Sequence, residues 1–503
     1  MDRSIIGVIQ VPATQAELLL MSRDRRSGKK KRRHAVRREP ASARVKLSLD
    51  GLLNHYLVLL LFLTLLSLSL PSANRALLVG ALGLILCAAG LTQRAAKVDL
   101  WFLIPLIGYQ IFCGLSFYMN RKVVSADSAG SFLAIQALYS ALYLLMAFLD
   151  NSERLWLKRL CVLWAGCAAG VGVIQFLSRA LPGRAARLGG IFGAPNAFGI
   201  FLVVSWFALC SCVPEETELR NGKLVWLVRL EPLLLTALAL TLSMGSFVSM
   251  AAGILFLALC RLRQTSWREA LAFTCGLLAR ASLGVGLGIL MYIAARRSGQ
   301  PWLCVPLTVY LLAVMFFWER FQSFLRDSPK AAAGITALGF LVAGAAILIR
   351  PSAVATFQER LAMMENAAAY LTARPMWGLG FLQWHIWNFY DSDPYFNTYH
   401  IHNILLHIGV EFGIPAMIMA GTAAIRRFWK KSSPDSTAGF LAFFIHSMMD
   451  TSFFFDGVPA VTLLTAAEPG SGTVRLSAPV IKLLFAALTL LFLACLGIEL
   501  GYL

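Results

Sequence analysis

Leu52-Leu-Asn-His-Tyr-Leu-Val-Leu-Leu-Leu-Phe-Leu-Thr-Leu-Leu-Ser-Leu-Ser-Leu70 is the first long apolar run of the chain, and similar runs follow almost to its end. About 20 apolar residues in a helix cross the hydrocarbon of a bilayer. The run follows a long basic region and exceeds the short apolar core of a cleavable signal, so it reads as a membrane span. The chain is 58% hydrophobic and only 14% charged, with mean hydropathy +0.69. An average soluble domain is about 25% charged. The expected fold class is therefore all-α, a polytopic membrane helix bundle of about 14 spans, the last at 479–498.

The net charge is +19, and thirteen of the 45 Lys and Arg precede residue 47, including Lys29-Lys30-Lys31-Arg32-Arg33. Cytoplasmic segments carry excess Lys and Arg, and anionic lipid attracts them. Residues 1–50 thus read as a basic cytoplasmic tail, and no nucleic-acid readout motif accompanies it. Membrane lipids, and no nucleic acid, are the expected partners. Basic runs at Arg320 to Lys330 and Arg426-Arg427-Phe-Trp-Lys430-Lys431 orient the C-terminal half, and the loop-by-loop balance puts both termini in the cytoplasm. The segment 229–262 is short for two crossings and Arg280 interrupts the next run, which leaves room for a re-entrant or tilted element. The ten cysteines fall in apolar runs without a C-x-x-C pair and read as small core residues.

Two connections on the expected outer face are long. Loop 179–194 carries Arg179, Arg184 and Arg187, and loop 350–400 carries Arg350, Arg360 and Arg374. Arginines kept where the positive-inside rule depletes them point to an anionic substrate at the outer leaflet. Within the longer loop, Val354, Phe357, Leu361, Met364, Ala368 and Leu371 recur at steps of three and four, which predicts an amphipathic helix lying in the membrane plane. Thr356 and Glu359 have the form of a capping box, and Arg374-Pro375 ends the pattern.

Polar residues inside spans are costly and mark functional sites by default. Asn403, His407 and Glu411 share one helix face, with His402 in the same first turn; they also suit hydrogen bonds to neighbouring helices. His446 and Asp450, four apart, read either as a structural pair or as part of a site. Asn196, after Gly189-Gly190-Ile-Phe-Gly193-Ala-Pro195, can cap a helix or bind a ligand. Loops 71–75 and 179–194 hold no carboxylate, so metal ligands are lacking there. Asp391-Ser-Asp393-Pro is a weak alternative metal site that also reads as a turn.

Taken together, Gly-Ile-Phe-Gly-Ala-Pro-Asn196, Arg360, Pro375-x-x-Gly378-x-Gly380, His402-Asn403-x-x-Leu406-x-x-x-x-Glu411-x-Gly413 and His446-Ser-x-x-Asp450 resemble the O-antigen ligase and O-antigen polymerase (Wzy-type) superfamily of bacterial membrane glycosyltransferases. The resemblance runs over about 180–456. It implies a GT-C-like bundle in the bacterial cytoplasmic membrane, with residues 51–178 as N-terminal helices, 179–456 as the ligase-like domain and 457–503 as a loop and last span. It also implies transfer of a glycan from an undecaprenyl-diphosphate-type donor to a glycan, lipid or protein acceptor hydroxyl, without metal or cofactor. Guanidinium groups suit a diphosphate leaving group and a histidine suits proton abstraction. His402 and Arg360 are the expected catalytic residues. Arg184, Arg187, Asn196, Asn403, Glu411, His446 and Asp450 are expected to bind substrate. Where many members have Ser-Arg-Gly, this chain has Ser243-Met244-Gly245, so either Arg184, Arg187, Arg296 or Arg297 substitutes or the donor site differs. The rival reading is a multi-span lipid or polysaccharide transporter or flippase, against which stand the absence of an inverted repeat and the gathering of charge on one side.

Overall fold

A computed structural model describes residues 55–501 apart from 73, 213–224, 297, 350–351, 392–397, 430–432 and 469–471. The basic tail and Asp393 lie outside the described residues. The described chain is almost wholly helical, because in hydrocarbon every backbone N–H and C=O needs an internal partner and a helix supplies one. Eight described helices are long and apolar enough to cross a membrane, and Tyr56–Ser69, Arg75–Leu91 and Gly457–Ala466 are shorter apolar helices.

The first helices are α1 (Tyr56–Ser69), α2 (Arg75–Leu91), α3 (Leu100–Met119), α4 (Ala126–Met146), α5 (Asn151–Ala180) and α6 (Pro195–Cys212), with the short strand β1 (Ala96–Val98) between α2 and α3. Their starts follow from sequence: Asn74, Asp99 and Ser125 accept from first-turn amides of α2, α3 and α4, and Asp150 with Glu153 forms a full capping box on α5. Such side chains satisfy the N–H groups that a helix leaves unpaired at its start. The α1–α2 turn is closed by Arg75, which donates to the Ser67, Leu68 and Leu70 carbonyls and to Asp456.

The segment that looked short for two crossings forms α7 (Glu231–Thr241) and α8 (Met244–Gln264), joined by a turn in which Leu242 has φ of 46°. Arg280 does not interrupt α9 (Trp267–Arg296), because its charge is paired. Glu231, 2% exposed, accepts from Arg280 Nη1 at 3.2 Å, Trp206 Nε1 at 3.0 Å, Trp318 Nε1 at 2.9 Å and Gln322 Nε2 at 2.7 Å. The last two lie on α10 (Cys304–Asp327), which is followed by α11 (Pro329–Ile349). The room left for a re-entrant or tilted element is taken by helices tied through one buried carboxylate.

The expected in-plane helix is α12 (Ser352–Ala373), followed by α13 (Gln383–Asp391), α14 (Ile404–Phe412), α15 (Ile414–Trp429) and α16 (Pro434–Ser447). After α16 comes a helix that the apolar-run reading passed over: α17 (Gly457–Ala466), only 10 residues long. Beyond it β2 (Val474–Leu476) pairs antiparallel with β1. The chain ends in α18 (Ala478–Glu499), whose Phe485, Phe492 and Leu496 fill the space left by Gly90, Gly83 and Gly80 of α2. Gly130, near the start of α4, faces Ile498.

These contacts fix the direction of α18. Its first turns lie beside the end of α2 and its last turns beside the starts of α2 and α4. Glu499 therefore ends at the same face as Arg75 and Asp456, and Tyr56 begins at the opposite face. Among the described residues, α17 adds a passage between α16 and α18 that the expected path of the chain lacked. Its ten residues, Gly457–Ala466, fall well short of a full span. The revised path also puts Arg475 on the strand-bearing face with Lys97 and Arg426, where basic residues gather. A cysteine placed at Gly501 is expected to react with a membrane-impermeant maleimide from the same side as one placed at Gly183. Labelling from opposite sides would refute the path through α17.

Candidate active site

The site forms where the Pro375-x-x-Gly378-x-Gly380 turn crosses the break between α14 and α15. A helix break frees carbonyls that must be paired elsewhere. The turn pairs them: Leu379 N donates to Val410 O at 2.8 Å, Gly380 N to Glu411 O at 2.9 Å, and Ile414 N returns to Pro375 O at 2.7 Å. The backbones touch so closely that a Cβ on Gly378 would strike the Glu411 carbonyl and one on Gly413 the Met376 carbonyl, and both residues have positive φ, 65° and 94°. Only glycine fits such positions without strain. Ser116 Oγ of α3 donates to Trp377 O at 2.6 Å and fastens the turn to the N-terminal helices.

This stitching presents the loop ahead of α14, with His402, to the loop that follows α16, with Asp450. Asp450 is 3% exposed and its carboxylate is the meeting point of the site. Oδ2 accepts from Asn196 Nδ2 at 2.6 Å and Arg360 Nη2 at 2.8 Å. Oδ1 accepts from Thr451 N at 2.9 Å and Ser452 Oγ at 3.2 Å. Arg360 also donates through Nη1 to Met449 O at 2.5 Å. Arg187 completes the chain of contacts, giving Nη2 to Asn196 Oδ1 at 2.8 Å and Nε to Thr241 O at 2.9 Å. His402 Nδ1 stands 4.0 Å from Asp450 Oδ2, beyond hydrogen-bond length and within electrostatic reach.

Residues 233–421 match the family model described as O-antigen ligase. That match supports the O-antigen ligase and polymerase superfamily for this stretch of the chain. The match supports glycan transfer at a membrane in general terms. It includes Arg360, His402, Asn403 and Glu411, whereas Arg187, Asn196, His446 and Asp450 lie outside the matched residues. No curated protein and no solved structure matches the chain significantly.

Of the residues expected to form the site, Arg187, Asn196, Arg360, His402 and Asp450 converge. Others stand apart. Arg184 is exposed and joins none of these bonds. Asn403 uses its Oδ1 to cap α14, accepting from Leu406 N at 3.0 Å. Glu411, fully buried, lies about two turns along the helix from Asn403, with Oε2 3.3 Å from His407 Nε2. Neither oxygen of Glu411 and neither ring nitrogen of His407 makes a well-directed hydrogen bond. His446 is fully buried with both nitrogens unpartnered, and its ring lies against Gly245, where a Cβ would approach Nε2 to 3.3 Å. Asp391 ends α13, and its partner Asp393 lies outside the described residues.

Some contributors were not legible from sequence. The residues after Asp450 build half of its cradle, and Asp-Thr-Ser is a local pattern in which a carboxylate accepts from following donors. Phe454 stacks on His400 at 3.5 Å between centroids and meets His407 edge-on at 4.8 Å. Beneath them opens a mostly apolar cavity of about 620 Å³, lined among others by Phe132, Phe381, Phe412, His407 and Ser447.

His402 and Asp450 sit in loops outside the helices, and their charges are coupled. Burial holds the His402 imidazole below its ordinary pKa, Arg360 adds to this and Asp450 opposes it. Burial alone would raise Asp450, but His446, Arg360 and His402 outweigh it and hold the carboxyl low. Asp450 is therefore ionised and His402 neutral near pH 7. A depressed histidine stabilises the fold fully above its unfolded pKa of about 6.5, and that stability is lost as pH falls through the folded value. Replacing Asp450 by Asn removes the neighbour that raises His402. A histidine-labelled NMR titration is expected to show His402 titrating at a still lower pH in Asp450→Asn; an upward move would contradict the coupling.

Proposed function

We propose that the protein transfers a glycan from a polyprenyl-diphosphate-type donor to an acceptor hydroxyl, with Asp450 organising the two cations and the base that perform it. The observation that carries this reading is the convergence of Arg360, Arg187 through Asn196, and His402 on one buried carboxylate. His402 takes the proton from the acceptor hydroxyl. The acceptor oxygen then bonds to the anomeric carbon as the bond from that carbon to the diphosphate oxygen breaks. The electron pair leaves with the diphosphate, whose growing charge the guanidiniums stabilise in a site of low dielectric. A neutral, depressed imidazole is the form able to accept the proton.

Arg187 takes the place of the arginine that many members carry between Ser243 and Gly245. Its bond to Thr241 O brings its guanidinium beside that turn, whereas Arg184 is exposed. Arg360 Nε is buried without a partner, a donor available to a phosphate oxygen. The 620 Å³ cavity offers apolar surface next to the charged centre, as an amphiphilic substrate requires.

Purified His402→Ala and Arg360→Ala are each expected to lose glycan transfer from a polyprenyl-diphosphate donor by at least about 100-fold, the usual contribution of an acid–base or charge-stabilising group, while still inserting in the membrane. Transfer at the normal rate by either variant would sink the mechanism. Activity is expected to persist in EDTA. Loss in EDTA with recovery on adding a divalent ion would instead favour a metal at Asp391 and Asp393.

A further inference from the structure

The strand pair β1–β2 lies at the end of the bundle opposite the site. In its register Lys97 is directly across from Arg475, and both side chains are exposed. Residues directly opposite in an antiparallel pair hold their Cβ atoms about 5 Å apart on one face, and like charges there destabilise the pairing. Among the described residues no carboxylate pairs with either. The nearest acid in sequence, Asp99, is buried at 1% exposure and committed to Arg426 at 3.0 Å. Gly472, two residues ahead of β2, lies against the same Arg426. A cross-strand pair of cations has thus been kept where a neutral pair would close the sheet at lower cost.

The surroundings say what neutralises it. Trp101, at the start of α3, is 70% exposed, and Trp429, at the end of α15 one turn beyond Arg426, is 77% exposed. Val474 of β2 itself is 47% exposed and Leu483 of α18 is 70% exposed. Exposed indoles beside bare aliphatic surface mark the level of the lipid headgroups. The two cations lie at this level, with the exposed Arg94 and Lys482 close by in sequence.

We propose that Lys97 and Arg475 form an anionic-phospholipid site, one headgroup phosphate seated between them and bridging β1 to β2. Because β2 leads directly into α18, the bound lipid fastens the last helix to the α2–α3 connection. The pairing of these strands then depends on the charge of the leaflet that contains them.

The full-length protein in detergent, given phosphatidylglycerol and phosphatidylcholine in equal amounts, is read by native mass spectrometry and by thermal unfolding. A basic residue at a membrane surface contributes about a 5-fold preference for anionic lipid. The double variant Lys97→Gln/Arg475→Gln is expected to lose phosphatidylglycerol preference by about 25-fold relative to the unaltered chain, and Lys97→Arg to keep it. The basic tail contributes equally to all of these, so the difference reads the strands alone. In phosphatidylcholine the double variant is expected to unfold no earlier than the unaltered protein, since a repulsion has been removed. Unchanged phosphatidylglycerol preference in the double variant, or earlier unfolding in phosphatidylcholine, would overturn the proposal. So would stabilisation of the unaltered protein by inorganic phosphate to the same extent, which would assign the cations to a free anion.

Discussion

The carboxylate of Asp450 is the constraint on which the functional end of this molecule depends. One buried negative charge gathers donors from α6 through Asn196, α12 through Arg360 and its own loop through Thr451 and Ser452. A buried charge is tolerated only when paired and hydrogen-bonded on all sides. Satisfying Asp450 therefore requires that α12 lie across the mouth of the bundle and that the Gly189–Gly193 turn deliver Asn196 to it. The resting site sets two guanidiniums around one carboxylate, and each already has protein partners. Under the proposed mechanism an incoming diphosphate would exchange places with existing partners of the arginines, and its binding would reflect the difference between the two sets of contacts.

A second buried carboxylate plays the matching role deeper in the bundle. Glu231 accepts from two indoles, an amide and a guanidinium on three other helices. Hydrocarbon provides no driving force for helix association comparable to water's, so packing and polar contacts set the register of helices along the membrane normal. Glu231 sets it for α6, α7, α9 and α10, and Asp450 for the elements at the mouth.

Much of this was legible in the sequence because membranes impose simple rules. Apolar runs marked nearly all the helices, and the three- and four-residue steps of Phe357, Leu361 and Met364 marked α12. Arg360 and His402 stood out as polar groups at the site boundary. Three things were not legible. α17 is too short for a length rule and is identified only by its packing. Asn403 and Asn196 have the same residue type at a helix start, yet one spends its carbonyl oxygen on its own cap and the other links Arg187 to Asp450. The choice depends on which neighbour arrives, and neighbours are not written locally. The third is Arg280, an apparent interruption whose partner Glu231 lies 49 residues earlier.

The glycine groove of α2 has a bearing on how the molecule is made. Gly80, Gly83 and Gly90 leave hollows that Leu496, Phe492 and Phe485 occupy, and those three residues are made long after the glycines. Until they arrive, the second helix of the chain faces a gap, and β1 has no strand to pair with. The N-terminal helices must wait in the bilayer, inserted but unclosed, through the synthesis of some 400 residues. Closure of the groove is thereby tied to the synthesis of α18, and a product truncated ahead of it would carry the groove unfilled.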